Sequence, residues 1–300
     1  MAFGFALALA LAPAGCGRVG FDARPATDAA GDGSDDASCT LGDFTLVGRL
    51  PGPVTSGFDE WSGMTFLADT HIMFHRYMTG GDLYVASRAS AAEPFANVVA
   101  VGELNDAVEN EWTPALTEDG LVIVFSRTVG GANFGLMTST RASATEPWPA
   151  PIPMPELDST ANEYSPWLSA DGLRITFASS RSGEDLLYES TRPDRSAPFA
   201  QPALLDVRPG MDARDPTLSP DGLELFFAAG QEGVLDVYTA RRPALDQPFG
   251  PAALVPQLSS PRDDVALRFS RDGKTLYLNH DTLVMGGGAA DIWYATRDCL

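Results

Sequence analysis

The chain has 300 residues, an apolar fraction of 44% and a formal charge of −20. Length and apolar content suffice for one sizeable packed core. The charge repels nucleic-acid backbones and anionic lipid surfaces, which excludes nucleic acid as a partner and leaves only an anchor as a route to a membrane.

Taken in chain order, the first segment is an apolar run from Met1 to Ala12, too short to span a bilayer as a helix. It ends in Leu11-Ala12-Pro13-Ala14-Gly15-Cys16, which resembles the lipobox of bacterial lipoproteins. The resemblance implies that residues 1–15 are a signal peptide and that Cys16 is lipidated. The protein is then exported and lipid-anchored to a bacterial membrane, in the periplasm or at the cell surface. Residues 16–38 are rich in Asp, Gly, Ala and Ser and nearly free of large apolar side chains. They read as a disordered acidic linker that holds the following domain off the membrane. If Cys16 is lipidated, Cys39 and Cys299 are left at the two borders of that domain, and in an oxidising compartment they read as a disulfide.

From residue 39 to residue 300 one block recurs. Residues 164–192 read YSPWLSADGLRITFASSRSGEDLLYESTR and residues 214–242 read RDPTLSPDGLELFFAAGQEGVLDVYTARR, with related blocks at 112–141 and 264–297 and a more degenerate one at 61–88. The turn aspartates Asp69, Asp119, Asp171, Asp221 and Asp272 are 50, 52, 50 and 51 residues apart, a period that belongs to propellers or solenoids. Within a block apolar residues alternate: Ile123 and Phe125, Ile175 and Phe177, Leu225 and Phe227, Leu276 and Leu278. Period-two patterning after an Asp-Gly turn predicts a hairpin entering a buried strand. Each unit then reads as four strands, for example Pro166–Ser169, Leu173–Ala178, Leu187–Thr191 and a looser segment at Phe199–Leu205. Pro149, Pro151, Pro153 and Pro155 fit such a fourth segment, because an outermost strand can turn its missing N–H toward solvent. The fifth unit stops after its third strand at Arg297, and Asp43–Leu50 matches the missing fourth in pattern. The prediction is an all-β, five-bladed β-propeller of four-stranded blades over residues 39–300, closed by an N-terminal strand in the last blade. A sixth blade has no room.

The SPDG turn at Ser219–Gly222, its SADG, TEDG and SRDG variants, the FxS-type strand ends and the DLY or DIW third strands resemble the TolB-type, WD-like propeller repeat of bacterial envelope proteins. The resemblance covers about 240 residues. It implies an envelope propeller that binds partners and, in most members, catalyses nothing. The family's namesake has six blades and an additional α/β domain, so its own partner is not carried over, and a fold by itself assigns no function.

Propeller geometry sorts the candidate residues by face. Carboxylates recur where the innermost strands begin: Glu60, Glu111, Glu163 and Asp264, with Asp212 or Asp215 in the fourth blade. The second strands end on the same entry face at Arg76, Arg127, Arg181, Gln231 and His280. This set is either an acidic mouth for a polar or cationic group or a set of structural pairs that stitch the blades. Arg88, Arg141, Arg192, Arg242 and Arg297 end the third strands on the opposite, Asp-Gly-turn face and read as structural salt-bridge formers. No cysteine has zinc-site spacing, no GxSxG elbow is present, and no cofactor is implied. The leading reading is a monomeric, non-enzymatic envelope lipoprotein that binds a protein or glycan. A glycoside hydrolase or lyase using Glu111, Glu163 or Asp264 is the alternative, and a structural module of a surface assembly the third reading.

Overall fold

The computed structural model describes residues 41–131, 133–207, 210–231, 233–282 and 290–299. The signal peptide, the linker, Cys16 and Cys39 lie outside the described residues. The chain enters through β1 (Thr45–Arg49) and then builds blades in succession. Blade one is β2 (Asp59–Phe66), β3 (His71–Tyr77), β4 (Gly81–Ser87) and β5 (Ala96–Ala100). Blade two is β6 (Glu111–Leu116), β7 (Val122–Val129), β8 (Asn133–Thr140) and β9 (Ile152–Pro153). Blade three is β10 (Glu163–Leu168), β11 (Arg174–Ser179), β12 (Leu186–Thr191) and β13 (Ala203–Leu204). Blade four is β14 (Asp212–Leu218), β15 (Glu224–Gln231), β16 (Val234–Arg241) and β17 (Ala253–Leu254). Blade five is β18 (Asp263–Phe269), β19 (Thr275–Thr282) and β20 (Ile292–Thr296), and its outer position is taken by β1. The five antiparallel sheets form a five-bladed propeller with almost no helix, as the repeat predicted.

Closure by exchange is visible in register. Thr45 pairs with Thr296 and Arg49 with Trp293, while Leu41 forms an isolated bridge with Cys299. One repeated contact shows that β1 is the true fourth strand of its blade. In blades one to four, the arginine ending the third strand lies over the ring seven residues further on. These pairs are Arg88 on Phe95, Arg141 on Trp148, Arg192 on Phe199 and Arg242 on Phe249, at 4.1 to 4.5 Å. In blade five Arg297 lies 4.5 Å from the ring of Phe44, which comes from the other end of the chain. The Nε–H of each of these arginines also donates to a turn carbonyl: Asp69, Gly120, Gly172, Gly222 and Gly273. Their dominant role is therefore to clamp turn and outer strand through carbonyls and aromatic faces. Carboxylate pairing is added at Arg242 with Glu189 (3.5 Å) and Arg297 with Glu224 (2.8 Å).

The same contact corrects one alignment. Asp69 occupies the place of the turn glycine and not of the turn aspartate, with φ 57° against 65° to 75° at the four glycines. The first turn is built from the consecutive left-handed residues Leu67, Ala68 and Asp69. Such residues cost roughly 1–2 kcal/mol each, so the surrounding ring holds this turn in place.

Apolar side chains on the faces of adjacent blades interlock. Val124 and Leu136 of blade two, for example, meet Leu168 and Phe177 of blade three. The innermost strands share a second device. Each carries a bulge with one left-handed, non-glycine residue: Ser62, Thr113, Ser165, Asp215 and Ala266, at φ 48° to 59°. The freed backbone N–H is captured by the preceding blade. Ser62 donates to Asn279 Oδ1, Thr113 to His75 Nδ1 and Ser165 to Ser126 Oγ, at 3.2 to 3.4 Å. In blades three and four the equivalent acceptor positions are Ala178 and Ala228, which offer nothing to the bulges of Asp215 and Ala266.

Candidate functional site

On the entry face the predicted carboxylates are in place but not presented to a ligand. Glu60, Glu111, Glu163 and Asp264 are almost wholly buried. Each folds back on the loop that leads into its own blade. Glu60 accepts from the Ser56 N–H and hydroxyl, Glu111 from the Asp106 N–H, Glu163 from the Ser159 N–H and hydroxyl, and Asp264 from the Ser260 N–H. On the other side each meets the end of the second strand. Arg76 bonds Glu60 at 2.7 Å, Arg127 bonds Glu111 at 2.7 Å, Arg181 bonds Glu163 at 3.1 Å, and His280 Nδ1 lies 2.6 Å from Asp264. The arginines continue to loop carbonyls: Arg76 to Pro53, Arg127 to Leu104 and Arg181 to Leu157. Loop, innermost strand and second strand are thereby fixed together in four blades.

The fourth blade departs from expectation. Neither Asp212 nor Asp215 occupies the carboxylate position. The register places Ala213 there, opposite Ala229, both buried, while Gln231 is exposed at the strand end. Both partners have been replaced by small apolar groups, a change that leaves no buried charge without its mate. Asp215 sits one bulge deeper, at the channel axis.

Burial raises the Glu60 and Glu111 carboxyls, and Glu111 reaches about 7 despite the Asp106 N–H and Arg127. A carboxyl whose folded value lies above its ordinary 4.5 contributes stability that is full below that value and is lost as pH rises through about 7. Glu111→Gln cannot ionise, so its stability relative to the wild type should rise between those two pH values. Paired melting curves across that range test this. A flat or falling difference would mean that pairing with Arg127 outweighs burial.

The cavity lies at the other end of the channel. A vestibule of about 810 Å³ opens among the Asp-Gly turns. Its floor is apolar, with Met64, Leu116, Trp167, Leu168, Leu218 and Phe269, and its rim carries Glu118, Asp171, Arg174, Arg192, Asp221 and Arg271. Main-chain bonds lace the first three turns together. Leu67 donates to the Glu118 carbonyl, Glu118 to the Ala170 carbonyl, and Arg271 reaches the Glu118 carboxylate at 3.0 Å. Pro220 in the fourth turn has no N–H with which to continue this ladder to the fifth turn, and blades three and four supply most of the vestibule's lining. Among the described residues no group of three or more His, Cys, Asp and Glu could hold a metal ion, and no helix is long and apolar enough to cross a membrane.

At the axis between the two ends Asp215 is joined by two residues the sequence did not single out as a site, Arg268 and His75. Arg268 is fully buried, and its guanidinium crosses the channel from blade five to the Pro166 carbonyl of blade three, at 3.0 Å. His75 is buried against Trp61 and Trp112, with ring centroids 6.4 and 4.8 Å away. Desolvation, then Arg268, lower it to about 3 and keep it neutral. A signal for this set exists. Position 268 corresponds in register to Met64, Ala115, Trp167 and Thr217, and position 215 to Ser62, Thr113, Ser165 and Ala266. Arg268 and Asp215 are the charged exceptions in two otherwise uncharged columns.

No protein-family model matches the chain, and no curated protein matches it. Solved structures do, at the level of fold. TolB from Acinetobacter baumannii aligns over 80% of this chain with 13% identity and a TM-score of 0.51, and this chain covers 55% of it. An α-L-arabinofuranosidase from Podospora anserina, solved in complex with cellotriose, aligns over 86% of this chain and 97% of its own, with 14% identity and a TM-score of 0.56. A thermostable family-43 glycoside hydrolase aligns over 83% of this chain and 92% of its own, with 13% identity and a TM-score of 0.54. At such identities the likeness concerns the propeller alone.

Proposed function

We propose that this chain is an exported, lipid-anchored envelope protein whose propeller binds a protein or glycan partner without turning it over, and that the partner is received in the turn-face vestibule. The observation that carries the reading is the division of labour between the two ends. The recurrent carboxylates are consumed in blade stitching, while the open cavity with an apolar floor and charged rim lies at the opposite mouth. The mature protein is a monomer on this reading, with Cys39 and Cys299 bonded and no cofactor.

The hydrolase reading has one observation in its favour: the Glu111 carboxyl, at about 7, lies in the range of a general acid. Against it, Glu111 is fully buried and committed to Arg127 and Asp106.

The test is capture from envelope extract with rim variants. Arg271→Glu and Leu245→Asp alter exposed vestibule residues, and Met211→Asp alters an exposed residue at the start of an innermost strand on the entry face. Loss of the captured partner in the first two, with Met211→Asp unaffected, is expected. Loss in Met211→Asp alone would move the site to the entry face, and hydrolysis of a glycoside abolished by Glu111→Gln would overturn the binding reading.

A further inference from the structure

We infer that the vestibule accepts a ligand bearing a carboxylate, and that Arg268 is the residue that receives it. This rests on the vestibule reading above and adds the chemistry of the occupant.

Arg268 leaves β18 directly after the bulge of blade five. Its Nη1 donates to its own neighbour's carbonyl at Leu267 (2.7 Å) and its Nη2 to Pro166 (3.0 Å), while Nε–H has no acceptor among the described residues. Asp215 acts on Arg268 electrostatically but forms no ion pair with it, and its carboxylate instead accepts from the Ser165 hydroxyl. Nearby, His75 takes the Thr113 N–H on Nδ1, which leaves its proton on Nε2, and that atom also has no partner among the described residues. A buried guanidinium held by two neutral carbonyls, with a spare donor, has not been given the partner it binds most strongly, an oxyanion.

A purely structural cross-link explains less. The other four blades fill this position with Met64, Ala115, Trp167 and Thr217 and still close the ring, so the architecture does not require an arginine here. The location also points to the vestibule. Phe269 follows Arg268 in the chain and Trp167 follows Pro166, and both form the vestibule floor. Met64 and Trp167, which hold the register position of Arg268 in blades one and three, line the same floor, which puts the buried guanidinium against it. A carboxylate arriving from the turn face would replace the Pro166 carbonyl with a charge-assisted pair. Asp215 already offsets part of the positive charge, which favours a monoanion over a phosphate dianion.

The experiment uses the full chain and two matched probes, 3-phenylpropanoate and its neutral amide, 3-phenylpropanamide. The Arg268 Nε–H resonance, assigned by its loss in Arg268→Lys, reports on the site, and a melting curve confirms that each variant is folded. The acid is expected to shift this resonance at millimolar concentration and the amide to leave it in place. Arg268→Lys keeps the charge but loses the fork, and acid affinity, measured by titration calorimetry in wild type and variant alike, is expected to weaken about tenfold or more. Equal binding of acid and amide, acid binding unchanged in Arg268→Lys, or a resonance indifferent to the acid would each overturn the inference. Should partner capture persist and still depend on Arg271 and Leu245, the vestibule reading survives that failure. Capture indifferent to the rim variants sinks the vestibule reading itself.

Discussion

Deleting residues 41–50 is expected to unseal the ring and cost more stability than any single substitution in this chain. The segment supplies the outer strand of blade five and places Phe44 among Phe226, Phe269 and Arg297, with ring centroids 5.7 and 5.9 Å from the two phenylalanines. Phe44→Ala alone should cost about 3–5 kcal/mol, the usual range for emptying a buried aromatic site. Removal of the whole strand adds a bared edge on β20, which invites pairing with other chains. Thermal unfolding and light scattering measure both effects, and a truncated chain that melts and remains dispersed like the wild type would sink the closure. The proposed Cys39–Cys299 bond seals the same seam. It would close a loop of about 260 residues and contribute on the order of 5 kcal/mol by chain entropy. Two titratable thiols in the oxidised protein would refute it.

Breaking the carboxylate stitches is expected to give the next largest effect, and the fourth blade predicts how to relieve it. Glu111→Ala strands Arg127 and the Asp106 N–H, and should cost about 3–5 kcal/mol, as loss of one member of a buried pair does. Glu163→Ala should be of the same order. Adding Ser179→Ala and Arg181→Gln rewrites blade three as blade four is written, with alanines at both register positions and a glutamine after them. The triple variant should recover part of the loss, because the partners then disappear together. A triple variant less stable than Glu163→Ala would show that the stitch contributes more than the pairing of its own charges.

The repeat, its strand order and the exchanged closing strand were legible because they rest on recurring local signals: Asp-Gly turns in four units, alternation in the second strands, and a loose fourth segment that the fifth unit lacks. The acidic series was legible as a series, but not its burial. That depends on serines four residues earlier, Ser56, Ser159 and Ser260, whose hydroxyls or N–H groups draw the acids into the loop. Blade four misled because Asp212 and Asp215 flank the alanine that holds the position, and a bulge hides which residue faces which way. Bulges with left-handed Ser, Thr, Asp and Ala have no sequence signature of the kind glycine gives. The arginine-to-aromatic spacing of seven was present in four blades but acquires meaning only when Phe44 completes the fifth.

The closing strand also orders the making of the molecule. Four blades pair strands that lie within one repeat of each other, so each can form as soon as its own stretch of chain exists. The fifth joins Thr45 to Thr296 across about 250 residues. Its first strand is the earliest synthesised and the last to find a neighbour. Local contacts therefore assemble an open arc first, and a single long-range docking, with its loop-closure entropy, turns the arc into a ring. By the same reasoning the seam is where the ring opens first when it unfolds.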